Sequence, residues 1–184
     1  MNREIIFRSL LYYSICFFVV TALELVLFIL FNTIIQLDLG IYTLNIISLV
    51  MTSGFIPIHV ILAWLLLLIA ICGFLAFGVV LLTLSFKKDI KNDLLAKYIL
   101  LIGLFFLLSG FIKMSSIFIL GNSVIQYDST TIIFQTALLT DTITPFIGGV
   151  IWIYFTAITC AILISGLIFG GIGLKSMINM ERKS

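Results

Sequence analysis

The feature that most constrains this chain is a short charged segment, residues 87–97, between two long apolar runs. A helix needs about 20 predominantly apolar residues to cross the hydrocarbon core of a bilayer, and the chain has four runs of that length. Of its 184 residues, 62% are hydrophobic and 10% are charged, and the mean hydropathy is +1.34. Because soluble domains carry about 25% charged residues, the sequence predicts a multi-pass membrane protein.

The expected fold is an all-α integral membrane protein, a bundle of four transmembrane helices formed by one domain over residues 1–184. The charged segment is the hairpin between the second and third spans. One or two short interfacial helices, at residues 41–51 and 130–139, are expected in the two longer connections, and the apolar side chains of the second would face the membrane. The expected spans are residues 10–31, 58–86, 94–120 and 146–174, and the longer connections are residues 32–57 and 121–145.

The positive charges predict an orientation. Lys and Arg occur near both termini and in the segment 87–97, whereas the two longer connections contain none. Since positive residues favour the cytoplasmic side, we expect both termini inside and the longer connections outside, in the cell membrane. The first apolar run is too long for the core of a signal peptide, so we expect it to remain as the first span.

Two charged residues, Glu24 and Lys113, lie within the predicted spans. A bare charge at mid-bilayer costs at least about 2.5–3.5 kcal/mol, so each needs a partner, water or a route to the interface. Each residue follows a basic residue at the inner edge, Arg8 or Lys97, by sixteen positions. The two side chains should therefore be level, about 24 Å above that edge. We expect an ion pair, either structural or part of a proton or ion relay, or two side chains that snorkel separately to the outer interface.

The only histidine, His59, is expected at or just beyond the outer surface, where the second span begins. A solvent-facing or hydrogen-bonded histidine is the simplest interpretation. Two hypotheses go further. One is a polar cluster at the outer mouth of the bundle, in which His59 and Asp141 join the two intramembrane charges. The other is a haem site, in which Met51, Met114 or a histidine of another subunit would be the second ligand.

Small residues recur at steps of four on the fourth span, and two glycines lie seven positions apart on the third. Such rows let helix backbones approach closely in lipid, although membrane helices are rich in glycine in any case. We expect a helix-packing face here, directed within the bundle or toward a partner. Its members are Ala157, Ala161, Ser165, Gly166 and Gly170 on the fourth span, and Gly103 and Gly110 on the third.

Signatures of metal binding and catalysis are missing from the sequence. The three cysteines, Cys16, Cys72 and Cys160, are scattered through apolar runs, and one histidine cannot complete a zinc site with them. We expect buried free thiols and no metal. The chain has no zinc-protease, phosphate-loop or nucleophile-elbow motif. A net charge of +2 without a basic face also argues against nucleic acid as a partner.

Three functions are compatible with the sequence. The first is a non-catalytic accessory subunit of a larger membrane complex, for example a respiratory one, because the chain is small and its spans carry few polar residues. The second is a small oligomeric transporter or channel that uses Glu24 and Lys113. The third is a haem- or quinone-binding membrane subunit, with haem held through His59. The expected partners are lipid and either other membrane subunits or a second copy of the chain, and no cofactor is expected apart from the haem option through His59.

Overall fold

The computed structural model describes residues 3–38, 43–51, 57–87, 90, 92–127, 130–140 and 145–182. Over these residues the chain is about 90% helical. The elements are α1 Arg3–Ile34, β1 Gln36–Asp38, β2 Thr43–Asn45, α2 Ile46–Met51, α3 Ile58–Phe86, α4 Asn92–Gly121, β3 Val124–Tyr127, β4 Thr130–Ile133, α5 Phe134–Thr140 and α6 Pro145–Glu181.

Four of these helices are long and apolar enough to cross a membrane, which confirms that part of the predicted fold. Their apolar stretches have 28 to 35 residues and mean hydropathies of 2.2 to 3.0. A helix of 28 residues is about 42 Å long, longer than the roughly 30 Å hydrocarbon core. The bundle arrangement and the orientation stay predictions. The stretches are Phe7–Ile34, Ile58–Phe86, Leu94–Gly121 and Phe146–Met180.

Two long helices extend beyond their predicted spans. The fourth span was expected to end at residue 174, before Lys175, but α6 continues to Glu181. A lysine marks the edge of an apolar stretch without ending a helix, and no proline or glycine follows it before residue 181. Similarly, α1 ends at Ile34 rather than at residue 31. Asn32, which was assigned to a connection, is therefore a buried helical residue.

The all-α assignment is wrong in one respect, because two β-hairpins follow the first and third long helices. Strand β1 pairs antiparallel with β2, and β3 pairs antiparallel with β4. Residues 130–133, Thr-Thr-Ile-Ile, are all β-branched. Such side chains lose rotamer freedom in a helix and pack well on a pleated strand. For this reason the helix predicted over 130–139 begins only at Phe134.

A short helix follows each hairpin, and both short helices bury apolar residues within the protein. Helix α2 begins after Asn45 because that side chain caps it: the backbone N–H of Ser48 donates to Asn45 Oδ1 over 2.8 Å. The prediction that Phe134 and Leu138 face the membrane is wrong, since both are at most 4% exposed. The buried residues are Ile46, Leu49 and Val50 in α2, and Phe134, Ala137 and Leu138 in α5.

Contacts divide the chain into two compact units, and α1, α3, α4 and α6 each contribute a segment to both. The terminal unit consists of Met1–Thr21, Gly73–Phe111 and Ile158–Ser184. The hairpin unit consists of Ala22–Cys72 and Ile112–Ala157, and it contains both hairpins and both short helices.

Aromatic rings fill the interior of the terminal unit. The rings of Phe77 in α3 and Phe105 in α4 stack with centroids 4.1 Å apart, and Tyr13 of α1 meets Phe169 of α6 edge-on at 4.9 Å. Phe106 of α4 is fully buried. Its ring centroid lies within 6.3 Å of rings from each of the other three helices. Since such pairs contribute about 0.5–1.5 kcal/mol beyond burial, this cluster joins the four segments.

The core of the hairpin unit combines the long helices with α2 and α5. Phe31 of α1 stacks on Trp152 of α6 with centroids 6.1 Å apart, and Phe134 of α5 meets the same tryptophan edge-on at 5.8 Å. Buried residues of α2 belong to the same apolar cluster. The short helices therefore complete this core.

Candidate functional site: a buried ion pair

Glu24 of α1 and Lys113 of α4 are joined in the interior of the hairpin unit. The Lys113 Nζ donates to Glu24 Oε1, and both side chains are 0% exposed. The structure thus brings together the two residues that the depth count placed level. Neither side chain reaches the protein surface, which disagrees with the alternative that they snorkel separately.

The Glu24 carboxylate uses only one of its two oxygens. Its Oε2 is buried and has no hydrogen-bond partner among the residues that the structure describes. A buried acceptor without a donor costs about 1–3 kcal/mol, and more if it is charged. Most buried polar groups in native proteins are satisfied, so an exception needs an explanation.

The pair links α1 to α4 strongly, although forming it in the interior is expensive. Removing two ions from water costs several kcal/mol for each, and their attraction repays this only with good geometry and further hydrogen bonds. Removing one partner of such a pair costs about 3–5 kcal/mol, because the other charge remains buried. The contact between Glu24 and Lys113 therefore joins α1 to α4, and removing either partner is expected to destabilise the protein.

The hairpin unit contains a third polar side chain, Tyr154 of α6, which the charge of Glu24 affects. It is partly buried and packs against the apolar core of the hairpin unit, and it lies within electrostatic reach of the Glu24 carboxylate. Tyr154 was not among the residues predicted from the sequence. Counting residues from a charged edge gives the depth of a side chain but not the direction in which it points, so no sequence pattern distinguishes Tyr154 from other aromatic residues of the span.

Hydroxyl groups in the same unit bond to the backbone of their own helices. Ser116 donates to the carbonyl oxygen of Ile112 over 2.9 Å, and Thr156 donates to that of Trp152 over 3.1 Å. Such bonds satisfy a hydroxyl in an apolar environment without a partner on another helix. These two hydroxyl groups therefore donate to the backbone rather than to Glu24.

A second polar contact between long helices was also missed in the sequence. Trp64 Nε1 of α3 donates to Asn32 Oδ1 of α1 over 2.8 Å, and Asn32 Nδ2 donates to the carbonyl oxygen of Phe28 over 2.7 Å. Both residues are buried. Asn32 directly follows an apolar run and was assigned to a connection. For this reason its hydrogen bond with Trp64 was not predicted.

Three of the four residues proposed for an outer polar cluster or a haem site lie within the described part of the chain. His59 and Met51 are exposed, and Met114 is partly buried. Asp141 lies outside the described residues, so the predicted cluster of His59 and Asp141 stays a prediction. Within the described ranges, no group of three or more His, Cys, Asp or Glu side chains is arranged to hold a metal ion.

The glycines predicted for helix packing form close contacts between α4 and α6 in the terminal unit. A β-carbon added at Gly103 would lie 2.6 Å from the Cα of Gly170 and 2.9 Å from the carbonyl oxygen of Gly166. One added at Gly173 would lie 2.6 Å from the backbone nitrogen of Leu100. Gly173 was not predicted, because only steps of four were considered on the fourth span and Gly173 lies seven positions after Gly166.

The remaining small residues differ in their surroundings. Gly110 packs against Leu163, whose Cδ2 would lie 2.8 Å from an added β-carbon. Ser165 is partly buried and forms a side-chain hydrogen bond with Tyr13. Ala157 and Ala161, by contrast, are exposed. The close contacts between α4 and α6 are thus made at glycines, whereas the two alanines lie on the protein surface.

The three cysteines are free, as expected, but they are exposed rather than buried. In a membrane-spanning helix the outward surface is as apolar as the interior, because it faces lipid. An apolar run therefore does not tell which of its residues point inward, and the prediction of buried thiols fails for this reason.

Comparisons with protein-family models, with curated proteins and with solved structures each found no match for this chain.

Proposed function

We propose that this protein is a non-catalytic accessory subunit of a larger membrane complex. The observation that supports the proposal is how the long helices use their buried polar groups. Glu24 and Lys113 bind each other, and buried hydroxyl groups donate to backbone carbonyl oxygens three or four residues earlier in the same helix. The hydroxyl donors are Ser14, Thr21, Ser85 and Ser116.

Polar groups used in this way stabilise the protein rather than contact a substrate. In lipid the hydrophobic effect does not drive helices together, so close packing and polar contacts between helices must do so. An enzyme or carrier instead directs several polar groups into a cleft that a ligand can enter. In this interpretation the Glu24–Lys113 pair holds α1 against α4 and has no ligand.

The proposed setting is the cell membrane, with the four long helices in a bundle. Both termini and the charged segment 87–97 would lie on the cytoplasmic side, and the two β-hairpins would lie outside. The distribution of Lys and Arg supports this orientation.

The face proposed to meet a partner subunit lies on α6 around Ala161. Ala161 is exposed, whereas Gly166 is buried against α4. The glycine side of the helix is thus occupied within the chain, while the small alanine leaves room for the backbone of another helix.

The test is extraction of the full chain from its native membrane in mild detergent, followed by native gel and mass spectrometry. We expect comigration with larger membrane subunits, and we expect Ala161→Leu to weaken it. Ala76→Leu is the matched control, since Ala76 is an exposed alanine on α3. Migration of the unmodified protein without partners would contradict the proposal, and equal effects of the two variants would contradict the assignment of the face.

A second candidate, a small oligomeric transporter or channel, is supported by the unsatisfied Glu24 Oε2. Charged residues within spans often mark ion pathways or proton relays. We would measure proton flux into vesicles that contain the purified protein. If the second candidate holds, Glu24→Gln abolishes flux in a protein that still folds. Equal flux in the variant and the parent would exclude a role for Glu24 in transport.

A further inference from the structure

The Glu24 carboxylate is attached to the rest of the protein through one oxygen. Lys113 Nζ donates to Oε1, while Oε2 is buried without a donor in the part of the chain that the structure describes. An ionised carboxylate spreads its charge over both oxygens. As an ion, Glu24 would therefore carry about half of its negative charge on Oε2, a buried oxygen with no hydrogen bond from the described residues.

We propose that Glu24 and Lys113 form a neutral pair, in which one proton has passed from Lys113 Nζ to Glu24 Oε1. The N–H bond that breaks leaves its electron pair on Nζ as the lone pair of an amine. The new O–H bond uses a lone pair of Oε1, and this O–H donates a hydrogen bond back to Nζ. The transfer needs no other reactant, and the net charge of the pair does not change.

Neutralisation relieves the problem at both oxygens. After the transfer, Oε2 is the carbonyl oxygen of a carboxylic acid, and a neutral oxygen without a donor costs less than a charged one. Buried ionisable groups commonly lose their charge when they are not fully paired. In water the proton would prefer the amine, but that preference depends on hydration of both ions. Here both side chains are 0% exposed.

Few other titratable groups face the pair from the surrounding elements. Tyr154 of α6 lies within electrostatic reach of Glu24. Helix α3 brings His59 and Cys72 to the hairpin unit, and both are exposed. The short helices α2 and α5 contain no titratable residue. Among the described residues, Tyr154 is therefore the neighbour whose hydroxyl group would respond to the charge of the pair.

This inference goes beyond the structural role proposed above. That role requires only that the two side chains remain in contact, wherever the proton lies. A neutral pair in addition holds an exchangeable proton, which the Glu24 carboxylic acid donates in a hydrogen bond to the lone pair of the Lys113 amine. The chemical class of the ligand is therefore the proton.

The first measurement is infrared spectroscopy of the full chain in lipid at neutral pH, with 13C-labelled glutamate. The chain has three glutamates, and Glu24 is the one within an apolar stretch. We expect one carboxylic acid C=O band that shifts with the label and disappears in Glu24→Gln. Glu181→Gln is the matched control, because Glu181 follows the last apolar stretch, and it should keep the band.

The second measurement is 15N solid-state NMR of lysine-labelled protein, which separates amines from ammonium groups. We expect one of the seven lysines to give an amine signal, and we expect this signal to be lost in Lys113→Gln. Both labels are read in the unmodified protein, so a variant that fails to fold does not end the test.

Three results would overturn the proposal. Ionised carboxylates with seven ammonium signals would mean a charged ion pair, and the structural role would then stand unchanged. A carboxylic acid with seven ammonium signals would mean that the proton came from solvent. An amine signal without the acid band would mean that the proton of Lys113 was lost rather than transferred.

Discussion

Gly103 of α4 lies so close to Gly170 of α6 that a β-carbon on Gly103 would be 2.6 Å from the Cα of Gly170. The same contact is asymmetric, since a β-carbon on Gly170 would meet nothing within 4 Å. The backbone of α6 thus occupies the space where a side chain at position 103 would be, so this contact requires glycine at position 103 and leaves room for a side chain at position 170.

The first prediction concerns this asymmetry. Gly103→Ala should lower the free energy of unfolding by about 1–3 kcal/mol, because the added methyl group must push two backbones apart. Gly170→Ala should be neutral or stabilising by up to about 1 kcal/mol, since alanine is the better helix former. Thermal unfolding of both variants in the same detergent checks this. A loss of stability at Gly170 equal to that at Gly103 would contradict the α4–α6 contact.

The second prediction concerns the pair of Glu24 and Lys113. Glu24→Leu or Lys113→Leu alone should destabilise the protein, by about 3–5 kcal/mol if a charge is left buried and about 1–3 kcal/mol if a neutral group is left. The double leucine variant should recover most of this loss, because no polar group then remains without a partner. Denaturant unfolding of the four proteins gives the coupling energy. Additive losses would mean that the two side chains do not interact.

The third prediction concerns the contact between Trp64 and Asn32. Asn32→Leu should lower stability by about 1–3 kcal/mol, since it leaves the buried indole N–H of Trp64 without an acceptor. The matched control is Asn122→Leu, because Asn122 is exposed, directly after α4, and its side chain donates over 2.9 Å to the nearby carbonyl oxygen of Phe118 rather than to another helix. We expect the control to change stability by less than about 0.5 kcal/mol. Similar losses in both variants would argue against the bond.

The fourth prediction concerns the start of α2. Asn45→Ala removes the side-chain oxygen that accepts from the Ser48 N–H, and loss of such a cap costs about 0.5–2 kcal/mol. Amide hydrogen exchange of residues 46–51 should become faster, while exchange in α4 stays the same. Thr43→Ala, at an exposed position of β2, is the control. Unchanged exchange in the Asn45 variant would show that the cap does not hold the helix.

The four long helices could be predicted because membrane thickness sets a length that apolar runs must meet. That Glu24 and Lys113 lie level with each other could be predicted for a similar reason, since helical rise converts equal residue counts into equal heights. The direction of a side chain has no such rule in these helices, whose outward surface is apolar as well. This explains why Tyr154 was missed and why the cysteines were expected to be buried.

Connections were harder to predict than spans. The β-branched residues 130–133 indicate a strand, but a helix was inferred from the apolar spacing that continues into α5. In the other connection, Asn45 is a good helix cap, yet the predicted helix was started four residues before it. In both connections the local residue types determine the observed structure. The predictions instead gave more weight to the apolar residues that a membrane could bury.

Helix α6 has 37 residues and is therefore about 55 Å long. That is nearly twice the roughly 30 Å thickness of the hydrocarbon core, and tilting by an ordinary 20° shortens its projection by only a few ångströms. If α6 crosses a membrane, part of it therefore extends beyond the hydrocarbon core. A rigid helical fusion that continues this helix would give a small membrane protein an external marker for single-particle imaging.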